Sequence, residues 1–225
     1  MADHGHPETL ELRVQFDSAE QQKDASTLGM WIFLITEIMF FGGMFLAYTI
    51  YRRMYPLVFA VASTSLNAKI GAANTCILLF SSFTMVMAVR AGQLGKQKAI
   101  IWFLIFTLIF GFAFLGVKAV EWNEKFEEHH IPGQAAFHLE GLPQSDQGHA
   151  QLFFSLYFAM TGLHALHMVI GAGILLWLIL EARKGVYGAN YYTPVDVAGL
   201  YWHFVDIIWI FLFPLLYLID RHLGK

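Results

Sequence analysis

Five apolar runs, each close to or above the length that crosses a bilayer, dominate this chain: Leu28–Tyr51, Ile70–Val89, Ala99–Val117, Leu152–Leu180 and Val197–Ile219. A helix needs about 20 apolar residues to cross a hydrocarbon core of roughly 30 Å. Backbone exposed to lipid must bond to itself, and no alternating barrel-strand pattern occurs, so each run is expected to be a helix. The fold class is therefore all-α: a polytopic membrane protein, a bundle of five transmembrane helices. The spans are placed at about 28–51, 70–89, 99–120, 152–180 and 197–219, with Lys118 closing the third apolar run. The fourth run exceeds a bilayer's need and is expected to tilt or project. A polar N-terminal segment, residues 1–27, precedes the membrane domain, residues 28–225.

Composition agrees with a bilayer. Hydrophobic residues make up 57% and charged residues 14% of the chain, against about 25% charged in soluble domains. The net charge of −3 and the lack of a basic run argue against nucleic-acid binding. The single cysteine, Cys76, excludes an internal disulfide and any Cys-x-x-Cys motif, and it reads as a small core residue. No apolar signal region precedes Leu28, so the first span is expected to act as its own insertion signal. Basic residues number seven on each side of the membrane, so charge does not set the orientation. The connection Arg52–Lys69, with Tyr55, Pro56, Leu57 and Phe59, suits a segment lying in the interface. The longest connection, about Glu121–Gln151, carries Glu121, Glu124, Glu127, Glu128, Glu140 and Asp146, and reads as a solvated acidic cap.

Ionisable residues inside the spans are the candidates for function. Glu37 lies near the middle of its span among Phe33, Leu34, Phe40 and Phe41. An ionised carboxylate there costs at least about 2.5–3.5 kcal/mol on insertion, so it is held neutral or meets a polar partner. His164 and His167 share one face of the fourth helix with Tyr157, Met160 and Gly171. His203 and Asp206 share a face of the fifth, extended by Trp209. These groups are expected to point into the bundle, as interhelical or headgroup hydrogen bonders rather than haem or metal ligands; the paired Glu-x-x-His motifs of a di-iron bundle are absent. The 21 Phe, nine Tyr and six Trp include Trp31, Trp102, Trp122, Trp177 and Trp202 near span ends, as an interfacial belt would. Gly42–Gly43 and Gly171–Ala172–Gly173 offer small surfaces for close helix contact. His4, His6 and the pair His129–His130 could hold a metal only adventitiously.

Five stretches together resemble subunit III of the haem-copper respiratory oxidases: Leu28–Tyr48 (LGMWIFLITEIMFFGGMFLAY), Asn74–Ser82 (NTCILLFSS), Phe114–Trp122 (FLGVKAVEW), Phe153–Gly171 (FFSLYFAMTGLHALHMVIG) and Tyr201–Tyr217 (YWHFVDIIWIFLFPLLY). Glu37 matches the family's buried carboxylate in E-[IV]-x-F-F, and Glu121 the acid ending the third span. His164 and His167 match T-G-x-H-x-x-H, and His203 and Asp206 match W-H-F-x-D. Lys118 stands where many relatives carry Gln. The chain resembles the last five helices of the seven-helix mitochondrial type, a short form that is prokaryotic.

The resemblance implies a non-redox subunit of a bacterial terminal oxidase, oxidising cytochrome c, that packs on the catalytic subunit. It implies Glu37 as support for proton uptake, and Glu121, His164, His167, His203 and Asp206 as lipid or interhelical polar contacts, with no catalytic residue and no metal ligand. It implies no cofactor in this chain, haems and copper in the partner subunits, and bound phospholipids. Expected partners are oxidase subunits I and II, with a small subunit IV or a larger respiratory supercomplex as further candidates. The expected location is the bacterial cell (inner) membrane, N-terminus cytoplasmic and C-terminus outside. The alternatives are subunit III of a quinol oxidase, a nitric-oxide-reductase accessory protein, and, from another class, a standalone proton or solute transporter using Glu37 and the histidines as a relay.

Overall fold

The computed structural model describes residues 15–128, 130–133, 137–189 and 191–218. His4, His6 and His129 lie outside the described residues. Six α-helices run in order: α1 (Ala19–Met54), α2 (Pro56–Thr64), α3 (Ala68–Gln93), α4 (Gln97–Glu127), α5 (Gln147–Arg183) and α6 (Thr193–Phe213), the last continued by a π-helical turn, Pro214–Leu218. Five of them are long and apolar enough to cross a membrane, and α2 is the short exception.

Local chemistry marks the helix ends. Ser18 caps α1 by accepting from Gln21 N at 3.1 Å. Asn67 caps α3 by accepting from Lys69 N and Ile70 N. Pro56 opens α2, where its missing N–H is no loss. After α3 and α5 the chain turns through Gly95 and Gly185 at φ +67° and +86°, a region that glycine enters without strain.

Helix α6 is the hub, packing against α1, α3 and α5, while α3 lies along α4. In the most apolar window of α6 56% of residues are buried, against 11% for α1, so α1 is the peripheral helix with most of its surface toward the membrane. Trp202 of α6 shows why the packing is specific. Cβ atoms added at Gly111 of α4 or Gly171 of α5 would come within 2.9 Å of its ring, and its Nε1 donates to Ser81 Oγ of α3 at 3.0 Å. One indole thus ties three helices to α6.

Several expectations are corrected. Trp202 is a buried hub rather than a belt residue, because it faces the two glycines; Trp31, Trp102 and Trp177 are exposed. Cys76 faces outward, since an apolar residue in a span can face lipid as readily as protein. A Cβ added at Gly42 or Gly43 would meet nothing within 4 Å among the described residues, so neither faces a packed helix of this chain. Apart from these corrections, the connection after α1 forms α2, whose Val58, Phe59, Ala60 and Ala62 are buried while Leu57 is exposed, and which packs against α5 and the C-terminal π turn. Lys118 lies within its helix, as in the expected span 99–120; α4 continues to Glu127, and the Lys118 side chain is inside the bundle.

Between α4 and α5 the chain folds back as a cap. The Gln147 side chain accepts from Leu139 N at 2.8 Å and donates to Leu139 O at 3.0 Å and Leu142 O at 3.2 Å. Phe137 and Leu139 are buried beneath it. Lys125 donates to Ser65 O at 3.0 Å and pairs with Glu128, and His130 Nδ1 lies 3.0 Å from Glu128 Oε2. Burial and the neighbouring Lys125 push the His130 imidazole below its ordinary pKa, while Glu128 opposes the shift.

Candidate functional site

Among the described residues, the ionisable groups of the spans fall into three clusters between helices. The first joins α1 to α5. Glu37 Oε2 lies 3.3 Å from His167 Nε2, and His167 Nδ1 lies 2.8 Å from Leu163 O. A carbonyl only accepts, so Nδ1 carries its hydrogen. A hydrogen between Nε2 and Glu37, carried by either group, would leave the pair neutral overall. That makes the carboxyl tolerable in a bilayer.

The second cluster joins α4, α5 and the C-terminal π turn. Lys118 Nζ donates to Glu121 Oε2 at 3.0 Å, to Tyr157 OH at 3.2 Å and to Tyr217 OH at 2.9 Å. Tyr157 OH donates to Glu121 Oε1 at 3.0 Å, and Tyr217 OH donates to the same oxygen. The ammonium also lies 5.1 Å from the ring centres of Tyr157 and Trp209 and 5.6 Å from that of Tyr217. Lys118 and Glu121 are 4% and 2% exposed, so neither is solvated. Glu121 therefore does not belong to the acidic cap; its i,i+3 spacing from Lys118 turns it inward. The buried charge is neutralised by its partner and closed off by phenols and aromatic faces.

His164 sits beside this cluster. It is fully buried, and neither ring nitrogen has a hydrogen-bond partner among the described residues. Phe114 and Trp209 enclose it, each with its ring centre 5.3 Å away. Both nitrogens of His167, by contrast, are engaged, with Leu163 O and with Glu37.

The third cluster joins α3 to α6. Ser82 Oγ and His203 Nδ1 are 2.8 Å apart. Asp206, one turn further along α6, is buried. Neither of its carboxyl oxygens has a hydrogen-bond partner among the described residues. Ser82, His203 and Asp206 line a cavity of about 270 Å³ between α3 and α6.

All six residues singled out from the sequence face a packed helix or a cavity, yet the three clusters are separate. The sequence reading missed Ser82, Tyr217 and the pairing role of Lys118. A hydroxyl residue within an apolar run was the available signal for Ser82, and a Lys-x-x-Glu helical spacing the signal for Lys118.

The sequence profile of the family described as cytochrome c oxidase subunit III matches residues 11–220. The chain is 32% identical to cytochrome c oxidase subunit 3 of Thermostichus vulcanus over 96% of this chain and 98% of that one. It is 33% identical to cytochrome c oxidase subunit 3 of Synechocystis sp., covering 96% of this chain and 78% of the relative. It is 29% identical to quinol oxidase subunit 3 of Bacillus spizizenii, covering 85% of each.

Proposed function

Because the chain belongs to the cytochrome c oxidase subunit III family, we propose that it is the non-redox subunit III of a bacterial haem-copper oxidase that takes electrons from cytochrome c. The observation that carries this reading is the family match over residues 11–220. The two relatives at 32% and 33% identity, both named cytochrome c oxidase subunit 3, favour cytochrome c as the donor. The quinol oxidase relative at 29% supports the second reading, the same role in a quinol oxidase.

In the proposed role the chain sits in the bacterial cell membrane with its N-terminus in the cytoplasm, packed on the catalytic subunit I beside subunit II. Haems and copper in those partners supply the oxygen chemistry and the proton pumping. This chain's residues exclude water, hold lipid and keep geometry. The Lys118–Glu121 cluster fixes the C-terminal π turn to α4 and α5. Glu37 and His167 hold one proton at the α1–α5 contact, facing the least covered helix, where proton uptake and phospholipid contacts are supported. The exposed apolar face of α1, with Ile32, Ile35, Met39 and Leu46, suits a neighbouring subunit and its lipids.

Deletion of the gene tests the reading. Membranes lacking this chain should retain the oxidase's haem spectrum and begin oxidising reduced cytochrome c at near the normal rate, then lose activity early in sustained turnover. Loss of the haem spectrum, or an unchanged progress curve, would contradict the role. Oxidation of quinol but not of cytochrome c would select the second reading.

A further inference from the structure

The cavity between α3 and α6 is built unlike a slot for an acyl chain. Its walls include Leu79, Val86, Ile207 and Ile210, all exposed on the outer surface of the helices. Its polar side carries Ser82, His203 and Asp206. Position sets the first constraint on an occupant. His203 lies ten residues into α6, and Ser82 lies 14 from the start of α3 and 11 from its end. At 1.5 Å per residue each is about 15–20 Å from a helix end. A phospholipid headgroup stays in the interface and does not reach that depth. A molecule dissolved in the hydrocarbon, with its own polar groups on a ring, does.

Hydrogen bonding sets the second constraint. His203 Nδ1 is engaged with Ser82, and Nε2 has no partner among the described residues. Among the described residues neither oxygen of the Asp206 carboxyl closes a hydrogen bond. Two tautomers satisfy the Ser82–His203 contact. If Nδ1–H donates to Ser82 Oγ, Nε2 is a bare acceptor calling for a hydroxyl. If Ser82 donates to Nδ1, Nε2–H calls for a carbonyl. The hydroxyl and carbonyl forms of one ring, a quinol and its quinone, are the membrane-soluble pair matching both arrangements.

We propose that the α3–α6 cavity is a binding site for the ring of an isoprenoid quinol or quinone, held by the outer nitrogen of His203, with the isoprenoid tail lying along Leu79 and Ile210. Binding alone is assigned, with no electron transfer. The assignment rests on the α3–α6 geometry and not on the oxidase role, so it can fail or hold independently of that role.

The test uses the complex isolated from its own membrane and placed in phosphatidylcholine nanodiscs. A photoreactive azidoquinone is the label and decylubiquinone the competitor, with peptides mapped by mass spectrometry. Label is expected on residues 75–86 and 203–210 of this chain, removed by excess decylubiquinone. It should fall about tenfold in His203→Phe, the loss of about 1.4 kcal/mol of binding. Leu79→Trp, which fills the cavity and leaves the three polar groups untouched, should abolish it while the melting temperature stays near normal. Label confined to other chains, or unaffected by Leu79→Trp, would overturn the proposal. So would labelling of the same peptides by a photoreactive phospholipid that decylubiquinone does not displace.

Discussion

The Lys118–Glu121 pair is predicted to be strongly coupled. Lys118 has three polar acceptors between 2.9 and 3.2 Å and three aromatic faces. Glu121 accepts from Lys118, Tyr157 and Tyr217. Lys118→Met keeps the stem and removes the ammonium, leaving a carboxylate buried with phenols alone. Glu121→Gln keeps the shape and leaves the ammonium without a counter-charge. Breaking a buried pair on one side costs about 3–5 kcal/mol, because the other charge is stranded. The double variant removes both charges, and the substituted amide can still bond the two phenols, so it should cost less than the two single changes together. The expected coupling energy is at least about 2 kcal/mol, within the range seen for residues in direct contact. Reversible unfolding of the purified chain in mixed detergent micelles, followed by far-UV circular dichroism, gives the four free energies. Single effects adding to within about 0.5 kcal/mol would refute the coupling, and with it the view that this cluster is one electrostatic unit.

Glu37→Gln should retain the contact, since its amide donates to His167 Nε2, yet it removes the shared proton; initial oxygen uptake should persist while its duration shortens severalfold, and Glu37→Ala should shorten it further. An apolar carbodiimide should label Glu37, whose side chain is 20% exposed, and spare Glu121, which is 2% exposed; peptide mapping checks this. Gly171→Ala should destabilise the bundle by about 1–3 kcal/mol through overpacking, since the new Cβ would lie 2.9 Å from Trp202, whereas Gly43→Ala meets nothing within 4 Å and should be neutral or stabilising. The lowered His130 pKa means that the unfolded chain binds the proton more readily than the folded one. Its contribution is therefore present above pH 6.5, the ordinary histidine value, and lost as pH falls from there through the lower folded value. Thermal melts at pH 7.5 and pH 5 should show the loss, and His130→Phe, which keeps the stack on Phe154, should reduce it.

The five membrane helices were legible because a bilayer imposes a length and a composition that a single sequence displays. Facing was harder to read. In a soluble protein an apolar residue is a candidate for the core, but in a membrane it has two apolar destinations, which is why Cys76 and Gly42–Gly43 were assigned to packing and face outward. A span end drawn from hydropathy at 120 leaves Glu121 to the acidic cap, because a Lys–Glu pair one turn apart lowers the local apolar score while it pairs inside the bundle. Trp202 was misread for a related reason: its role depends on Gly111 and Gly171, which come from two other helices. Glu37, His164, His167, His203 and Asp206 were found because an ionisable group inside a span stands out. Ser82 and Tyr217 carry no charge, and a hydroxyl in an apolar run is a weak signal, because serine and tyrosine also occur in spans as packing and belt residues.

In the proposed role this membrane chain serves an oxidase carried by its neighbours. The most direct measurement is to tag the chain, isolate it from its own membrane in mild detergent, and record the associated chains by mass spectrometry together with the visible spectrum. The account predicts a stoichiometric haem-copper catalytic subunit and a copper-binding subunit II, with the haem absorbance following those partners when the complex is dissociated. A chain recovered alone, or a haem band that stays with it after its partners are removed, would contradict it.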